Sequence, residues 1–298
     1  MPAGNSKKEV RWSEAETDEF APLLSDKEFH RLSSLIYDIW GINLPPPKKT
    51  MVSSRLRKRL KALRHPSFQT YLDYVLSPAG RQQEWSHLID AVSTNKTDFF
   101  REKVHFDFLS RNLLPRLAHD LRQSAGRILR VWSAGCSSGQ EPYTLAMVLA
   151  EYQNQNPWFS FAITATDINN QVLEEAIRGT YDDEILNPVP KFLLCKYFMK
   201  GKGNQAGYHR VVPELRQRIC FQRVNLMDGN FGFKSAFNVI FCRNVIIYFD
   251  QQTQRQLFHK FYSNLSPNGF LFLGHSENLH GMEDKFVKVA SSVYQCKK

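Results

Sequence analysis

The stretch WSAGCSSGQEPYTLA, residues 132–146, decides how the chain is read. It is a tight turn built of small residues, without a lysine, and it is entered from the compact apolar run ILRVWSAG at 128–135. Apolar runs of this length without alternation mark strands buried on both faces, and a helical pattern begins at Pro142. Similar runs recur at FAITATDI (161–168), FNVIFCRN (237–244) and GFLFLGHS (269–276). Helical patterns such as QVLEEAIRG and QQTQRQLFHKFYSNL separate them. This alternation predicts an α/β fold with a doubly wound sheet.

In such a sheet, ligands bind beyond the C-terminal ends of the strands, most often at the first strand-to-helix turn. The turn at 132–146 lacks both G-x-G-x-x-G and the lysine-bearing P-loop pattern, which aim backbone N–H groups at phosphate. It sets Glu141 beside the helix start, and the next strand ends in Asp167. Carboxylates repel phosphate but suit an amine, a sulfonium or ribose hydroxyls, with Asp167 placed to accept from a ribose. S-adenosylmethionine has all these features and no phosphate. The plainer alternatives are Glu141 as a helix N-terminal acid and Asp167 as a cap on INNQVLEEA. Gly135 to Gly139 also satisfies G-x-S-x-G, which would make Ser137 a hydrolase nucleophile with His259, His275 or His280 as partner. That elbow normally follows several strands, and here it follows the first.

Working outward, the first twenty residues are polar and unpatterned, and a flexible tail is expected over 1–20. Ser25 reads as an N-cap ahead of Phe29, Leu32, Leu35 and Ile36 at helical spacing. LPPPKK breaks that helix, and KTMVSSRLRKRLKALRH follows with Met51, Leu56, Leu60 and Leu63 on one side. Its other side is basic, through Arg55, Arg57, Lys58, Arg59, Lys61 and Arg64. SFQTYLDYVLS and QQEWSHLIDAVS continue the helical patterning, and no strand alternation precedes about residue 126. A small all-helical N-terminal domain is therefore expected over 21–110, a linker helix over 111–125, and the α/β domain over 126–298. Within the latter, KYFMKGKGNQAGYHRVVPELRQRICFQRVNL reads as a β-hairpin insertion at about 191–224.

A hydrophobic content of 42% and 23% charged residues are those of a folded globular chain. A net charge of +10 favours acidic partners. The five cysteines fall singly, with no C-x-x-C pair, which argues against a zinc knuckle or disulfide scaffold. No apolar run is long enough to cross a bilayer, and the N-terminus lacks the apolar core of a signal peptide. The expected compartment is the cytoplasm.

Three further segments, STNKTDFFRE (93–102), FCRNVIIYFD (241–250) and LFLGHSENL (271–279), complete the pattern. With SAGCSSGQEPYTLAM and ATDINNQVLEEA, they closely resemble the CheR family, S-adenosylmethionine-dependent methyltransferases that esterify glutamates on bacterial chemoreceptors. The resemblance covers nearly all the chain after the tail. It implies cofactor contacts at Asn95, Thr97, Arg101, Glu141, Asp167, Asn225, Leu226, Arg243 and Asn244, S-adenosylhomocysteine as product, and no metal. Thr97 also reads as a helix N-cap, with Phe99 and Phe100 buried behind it. Arg101 and Tyr248 are the candidates to orient the incoming carboxylate. The basic helix Arg55–Arg64 is expected either to be a solvated face or to dock on the rows of glutamates of a receptor's helical bundle, and a monomer is expected; the resemblance further implies that the hairpin is available to the receptor's C-terminal peptide. Two rivals are a nucleic-acid methyltransferase and a non-catalytic S-adenosylmethionine-sensing module. Amino-methylating nucleic-acid enzymes carry an Asn/Asp-Pro-Pro-aromatic segment where this chain has RNVIIYFD, so no nucleic acid is expected.

Overall fold

The computed structural model describes residues 23–123 and 128–298, and the tail expected over 1–20 lies outside them. Five helices come first: α1 (Asp26–Trp40), α2 (Lys49–Leu63), α3 (Phe68–Leu76), α4 (Pro78–Gln83) and α5 (Trp85–Val92). Ser25 caps α1 in a full capping box, its Oγ accepting from the Glu28 amide while Glu28 Oε2 accepts from the Ser25 amide at 2.8 Å. The stripe Phe29, Leu32, Ile36 and Trp40 then meets Leu56, Leu60, Tyr71 and Leu88 in one core. Glu84, only 1% exposed, is held inside by a two-point pair with Arg59 (2.8 and 2.7 Å) and by the Tyr71 hydroxyl at 3.0 Å. Arg55, though exposed, lies along the domain surface and donates to the carbonyls of Ala91 and Ser93 at the end of α5. Two arginines of the basic helix thus hold the chain's own domain together.

The helical core closes at Val92, short of the expected boundary at 110. Phe99, Phe106, Leu109 and Leu114 pack instead into the core of the sheet. They come from the segment leading into α6 (Val104–Phe108), a π-helical turn (Leu109–Leu113) and α7 (Leu114–Gln123).

The α/β part runs β1 (Ile128–Ala134), α8 (Gln140–Gln155), β2 (Ser160–Asp167), α9 (Asn170–Arg178), β3 (Thr180–Asp182), α10 (Lys191–Tyr197), β4 (Phe198–Lys200), β5 (Tyr208–Val211), α11 (Pro213–Arg216) and β6 (Ile219–Arg223). It continues with β7 (Phe237–Cys242), α12 (Gln251–Asn264), β8 (Leu265–Leu273), β9 (Phe286–Ala290) and β10 (Val293–Cys296). Seven strands form the main sheet in the order β6-β2-β1-β7-β8-β10-β9, with β10 antiparallel to both its neighbours and the first five parallel. Period-2 alternation sends Leu129, Val131, Val239 and Phe241 to one face and Trp132, Ala134, Ile240 and Cys242 to the other. Both faces are buried, which is why these strands read as unbroken apolar runs.

The insertion differs in extent from the 191–224 expected. β4 and β5 form the hairpin, but β3 joins them as a third strand, in the order β3-β5-β4. β6 belongs to the main sheet, pairing parallel with β2 from Ile163 opposite Ile219 to Asp167 opposite Arg223. As an edge strand with exposed Cys220, Gln222 and Arg223, β6 lacks the apolar signature of its neighbours and reads as the return of a hairpin. No helix among the described residues is long and apolar enough to cross a membrane.

The two domains meet at α5 and α9, where Asp90 Oδ1 is buried without a hydrogen-bond partner among the described residues. Burial raises its pKa to about 6, against the pull of His87, the Asn170 backbone and Arg223. An unfolded chain holds this group near ~3.9, so the fold favours the protonated form and loses stability as pH rises through 6. Replacing Asp90 by Asn is expected to stabilise the protein at pH 8 by ~1–2 kcal/mol, a value discounted for partial exposure, and to change little at pH 4. Thermal melts at the two pH values check this.

Candidate active site

Strand order reverses at β1, with β2 on one side and β7 on the other, so the turns after these strands diverge and open a crevice. The helical domain and residues 93–101 roof it, leaving a cleft of about 1120 Å³ with its solvent-open mouth included. Asn95, Thr97, Arg101, Glu141, Asp167, Asn225, Leu226, Arg243, Asn244 and Tyr248 all line this one cleft.

The floor is the turn after β1. Gly135 sits at φ 80°, and a Cβ there would come within 2.4 Å of Val245 Cγ2, so only glycine serves. The Gly135 and Cys136 amides donate to Thr166 O, and the Ser137 amide donates to Asp167 Oδ2 at 2.8 Å. These three amides are therefore spent on the protein and are not offered to a phosphate. Asp167 Oδ1 accepts from the Asn169 amide at 3.0 Å, while α9 is capped by Asn169 and not by Asp167. Burial raises the Asp167 pKa, opposed by these two amides. Thr97 caps no helix either: α6 begins at Val104, after a turn. Ser137 donates its hydroxyl proton to Asn95 O at 2.9 Å and not to a histidine, which removes the nucleophile-elbow reading. With Asn169 Nδ2 donating to Ser93 Oγ at 2.9 Å, this bond straps the inter-domain segment over the cleft.

The wall is Arg243, at the end of β7, its side chain 2% exposed. Its Nη1 donates to Glu141 Oε2 at 3.2 Å, and its Nη2 donates to Glu102 Oε2 at 3.0 Å and to the Arg101 carbonyl. Phe106 lies 5.3 Å from the guanidinium on its ring face. Glu141, in the first turn of α8, also accepts from the Ser133 hydroxyl at 2.7 Å; burial raises its pKa while Arg243 lowers it. Asn225 holds the other side of the cleft, donating from Nδ2 to Ile39 O in α1. Arg101 donates to Lys96 O, and Tyr248 lies under the Lys48 ammonium, 4.7 Å from its ring centre.

Sequence reasoning passed over three residues here. Glu102, inside STNKTDFFRE, joins Arg243, Asn244 Nδ2 (3.3 Å) and the His275 amide (3.3 Å). Glu277, 3% exposed, accepts from the amides of Asn244 (2.9 Å) and Gly274 (2.6 Å), fixing Asn244 at φ 59°. It follows the end of β8, and the strand-end argument that singled out Asp167 extends to it. Lys48, read only as part of a helix break, lines the cleft. Glu102, His105 and His275 bring possible ligand atoms within 4.8 Å of one another, but the Arg243 guanidinium, 3.0 Å from Glu102 Oε2, opposes a second cation there.

A parallel switch-point cleft with strand-end carboxylates, and with those turn amides not offered to a phosphate, suits a sulfonium-bearing nucleoside, and the chain has the architecture of an S-adenosylmethionine-dependent methyltransferase. Residues 95–295 match the family model "CheR methyltransferase, SAM binding domain", and residues 27–93 match "CheR methyltransferase, all-alpha domain". The chain belongs to the CheR methyltransferase family. It is 41% identical over 259 residues to a chemotaxis protein methyltransferase of Borreliella burgdorferi, covering 87% of this chain and 90% of that one. It is 40% identical over 275 residues to the chemotaxis protein methyltransferase of Escherichia coli K12, covering 92% of each. A third relative, chemotaxis protein methyltransferase 2 of Pseudomonas aeruginosa, is 38% identical over 282 residues, 92% of this chain and 97% of its own.

The turn after β1 offers a direct check on the cleft. Gly135→Ala adds a methyl against Val245 at a backbone angle that L side chains avoid, a strain of about 1–3 kcal/mol. Affinity for S-adenosylmethionine is expected to fall at least tenfold while far-UV circular dichroism stays unchanged, as calorimetry and spectroscopy on one preparation measure.

Proposed function

We propose that the protein transfers the methyl group of S-adenosylmethionine to glutamate side chains of chemoreceptor cytoplasmic domains, forming glutamyl methyl esters in the cytoplasm. The observation that carries this is the convergence of ten motif residues, from five separate segments of chain, on one cleft. The names of the relatives support the receptor as substrate.

S-adenosylmethionine supplies an electrophilic methyl group on a sulfonium sulfur. Glu141, Asp167, Asn225, Leu226, Arg243 and Asn244 would hold the donor, with Asn95, Thr97 and Arg101 from the roof. A glutamate with a pKa near ~4.3 is already ionised at neutral pH, so no general base is required of the chain. Its contribution is positioning and exclusion of water. Arg101 and Tyr248 orient the incoming carboxylate, one by a charge-assisted hydrogen bond and the other by its hydroxyl. Placing the cation beside the roof strap confines its pull to the mouth of the cleft, where it steers the carboxylate without burying it.

The receptor's acidic helical bundle docks against α2, where Lys58, Lys61 and Arg64 are exposed and Arg57 is half-buried. Arg59, paired with buried Glu84, and Arg55, bonded to carbonyls at the end of α5, support the helix in place of touching the partner. An open edge of the three-stranded sheet receives the receptor's C-terminal peptide by strand addition. The enzyme acts as a monomer and takes no nucleic acid.

Methyl transfer from radiolabelled S-adenosylmethionine to a receptor cytoplasmic fragment, followed by alkali to release methanol, tests this reading. Base-labile label is expected, with a rate flat between about pH 6 and 8. Tyr248→Phe and Arg101→Ala are each expected to lower kcat roughly 10- to 100-fold. Alkali-stable label, or no label alongside intact cofactor binding, would refute the glutamyl ester.

A further inference from the structure

We propose that Glu277 is a positioning residue that keeps the acceptor side of the site in register with the donor side, by holding two parts of the loop after β7 on one carboxylate. The proposal deepens the reading above, since it rests on Tyr248 orienting the acceptor; Glu277 itself touches neither reactant.

The loop from Arg243 to Asp250 serves both sides. Arg243 and Asn244, assigned to the donor, line the cleft beside Glu141, while Tyr248 and Phe249 line it toward the helical domain, with Tyr248 beneath Lys48. Glu277 does not line the cleft. It stands behind the loop, 3% exposed, and each of its oxygens meets backbone N–H groups. Oε2 accepts from the Gly274 amide at 2.6 Å and the Asn244 amide at 2.9 Å, while Oε1 accepts from the Ile247 amide at 3.4 Å. The Glu277 amide donates back to Gly274 O at 2.9 Å, so the carboxylate is presented from a closed turn at the end of β8. Burial pushes its pKa up, and these amides, with that of Val245, pull it down.

Two features make the loop depend on this carboxylate. Asn244 sits at φ 59°, a left-handed angle that a side chain holds only where its surroundings enforce it. Ile246–Tyr248 is a single 3₁₀ turn, and the first amides of such a turn have no carbonyl within it to bond. The Tyr248 amide donates to Val245 O and the Phe249 amide to Ile246 O, which leaves the Ile247 N–H to Glu277. Gln254 holds the far end through the carbonyls of Ile246 and Phe249. Tyr248 is tied through its own backbone, its carbonyl accepting from the Asn43 amide at 2.8 Å. The fit at the strand ends is close: a Cβ on Gly274 would come within 2.7 Å of Asn244 Nδ2 and 2.8 Å of Glu277 Oε2.

A glutamine at this position has nearly the same shape but one acceptor oxygen, and its NH₂ only donates. With the oxygen in the place of Oε2, it keeps the Gly274 and Asn244 bonds and turns its NH₂ on the Ile247 N–H. The reverse orientation sets the NH₂ against two amides, so the first is favoured. The variant therefore releases the loop beside Tyr248 and retains it at Asn244. In-line transfer depends on where the acceptor oxygen stands, so release on that side lowers the rate and spares donor affinity.

Calorimetry on the full chain and steady-state methylation of the receptor fragment measure the two effects separately. Glu277→Gln is expected to lower kcat roughly tenfold, with Kd for S-adenosylmethionine and KM for the fragment within about twofold of wild type. Because the effect runs through Tyr248, adding Glu277→Gln to Tyr248→Phe is expected to lower kcat by less than about twofold further. An unchanged kcat in Glu277→Gln overturns the proposal. Donor affinity that falls in step with kcat, failure of the variant to fold, or full additivity with Tyr248→Phe assigns Glu277 a general structural role and overturns it as well. Wild-type kcat in Tyr248→Phe removes the orienting role given to Tyr248 above, and the proposal with it. Absence of base-labile label from the wild-type chain would instead refute the glutamyl acceptor itself.

Discussion

A buried arginine at the end of β7 is the constraint on which the site depends. Arg243 has almost no water, so its guanidinium depends on protein partners; Nη1 and Nη2 find them on α8, the inter-domain turn and the chain just before α6, while Nε is buried without a hydrogen-bond partner among the described residues. Meeting that demand brings the Glu141 end of the first helix against the Arg101–Glu102 turn. It also determines where the helical domain's connection enters the α/β domain. The strain in that turn, where Phe100 and Glu102 adopt left-handed backbone, is the visible cost of satisfying it.

The helical domain is part of the site's wall. Asn225 donates to Ile39 O, the Asn43 amide donates to Tyr248 O, and the Tyr37 hydroxyl bonds Asp250. Gly41 closes α1 in a left-handed conformation where a Cβ would meet Met227 Sδ at 2.5 Å. These contacts are short and polar, and they fall on both sides of the cleft. The roof is therefore a fitted cover held in part by a handful of directional bonds, with Ile168 packed against the helical core beside them.

Much of this was legible in the chain, for a definite reason. Strands buried on both faces must be apolar throughout, so β1, β2, β7 and β8 announce themselves, and residues at their C-terminal ends are candidates by position alone. Asp167 and Glu141 emerge that way. What escaped depends on pairing across long distances. β6 looks like a hairpin strand because nothing local says that its partner is β2, and β3 is too short to register. Asp167 was open to reading as a helix cap because its bond to the Ser137 amide, thirty residues away in sequence, is invisible in a linear pattern. Arg55 and Arg59 belong to a basic face by spacing, yet Glu84 and the carbonyls at the end of α5 claim them. Glu102 and Glu277 went unnoticed because their partners are backbone amides and a distant arginine.

The order of those partners along the chain bears on how the protein is made. The helical domain is complete by residue 92 and rests on local contacts, so it can fold while the rest is still being synthesised. The cleft cannot. Its parts lie near residues 95, 141, 167, 225 and 243, and Glu277, which secures Asn244, arrives only after β8. A chain emerging from the ribosome therefore carries a finished cover long before it has anything to close over. The central strand β1 must likewise wait more than a hundred residues for β7, its partner on the far side. A product that stops before β7 lacks Arg243 and Asn244, and one that stops before Glu277 lacks the carboxylate that secures Asn244, so ligand binding doubles as a report that synthesis has passed these points.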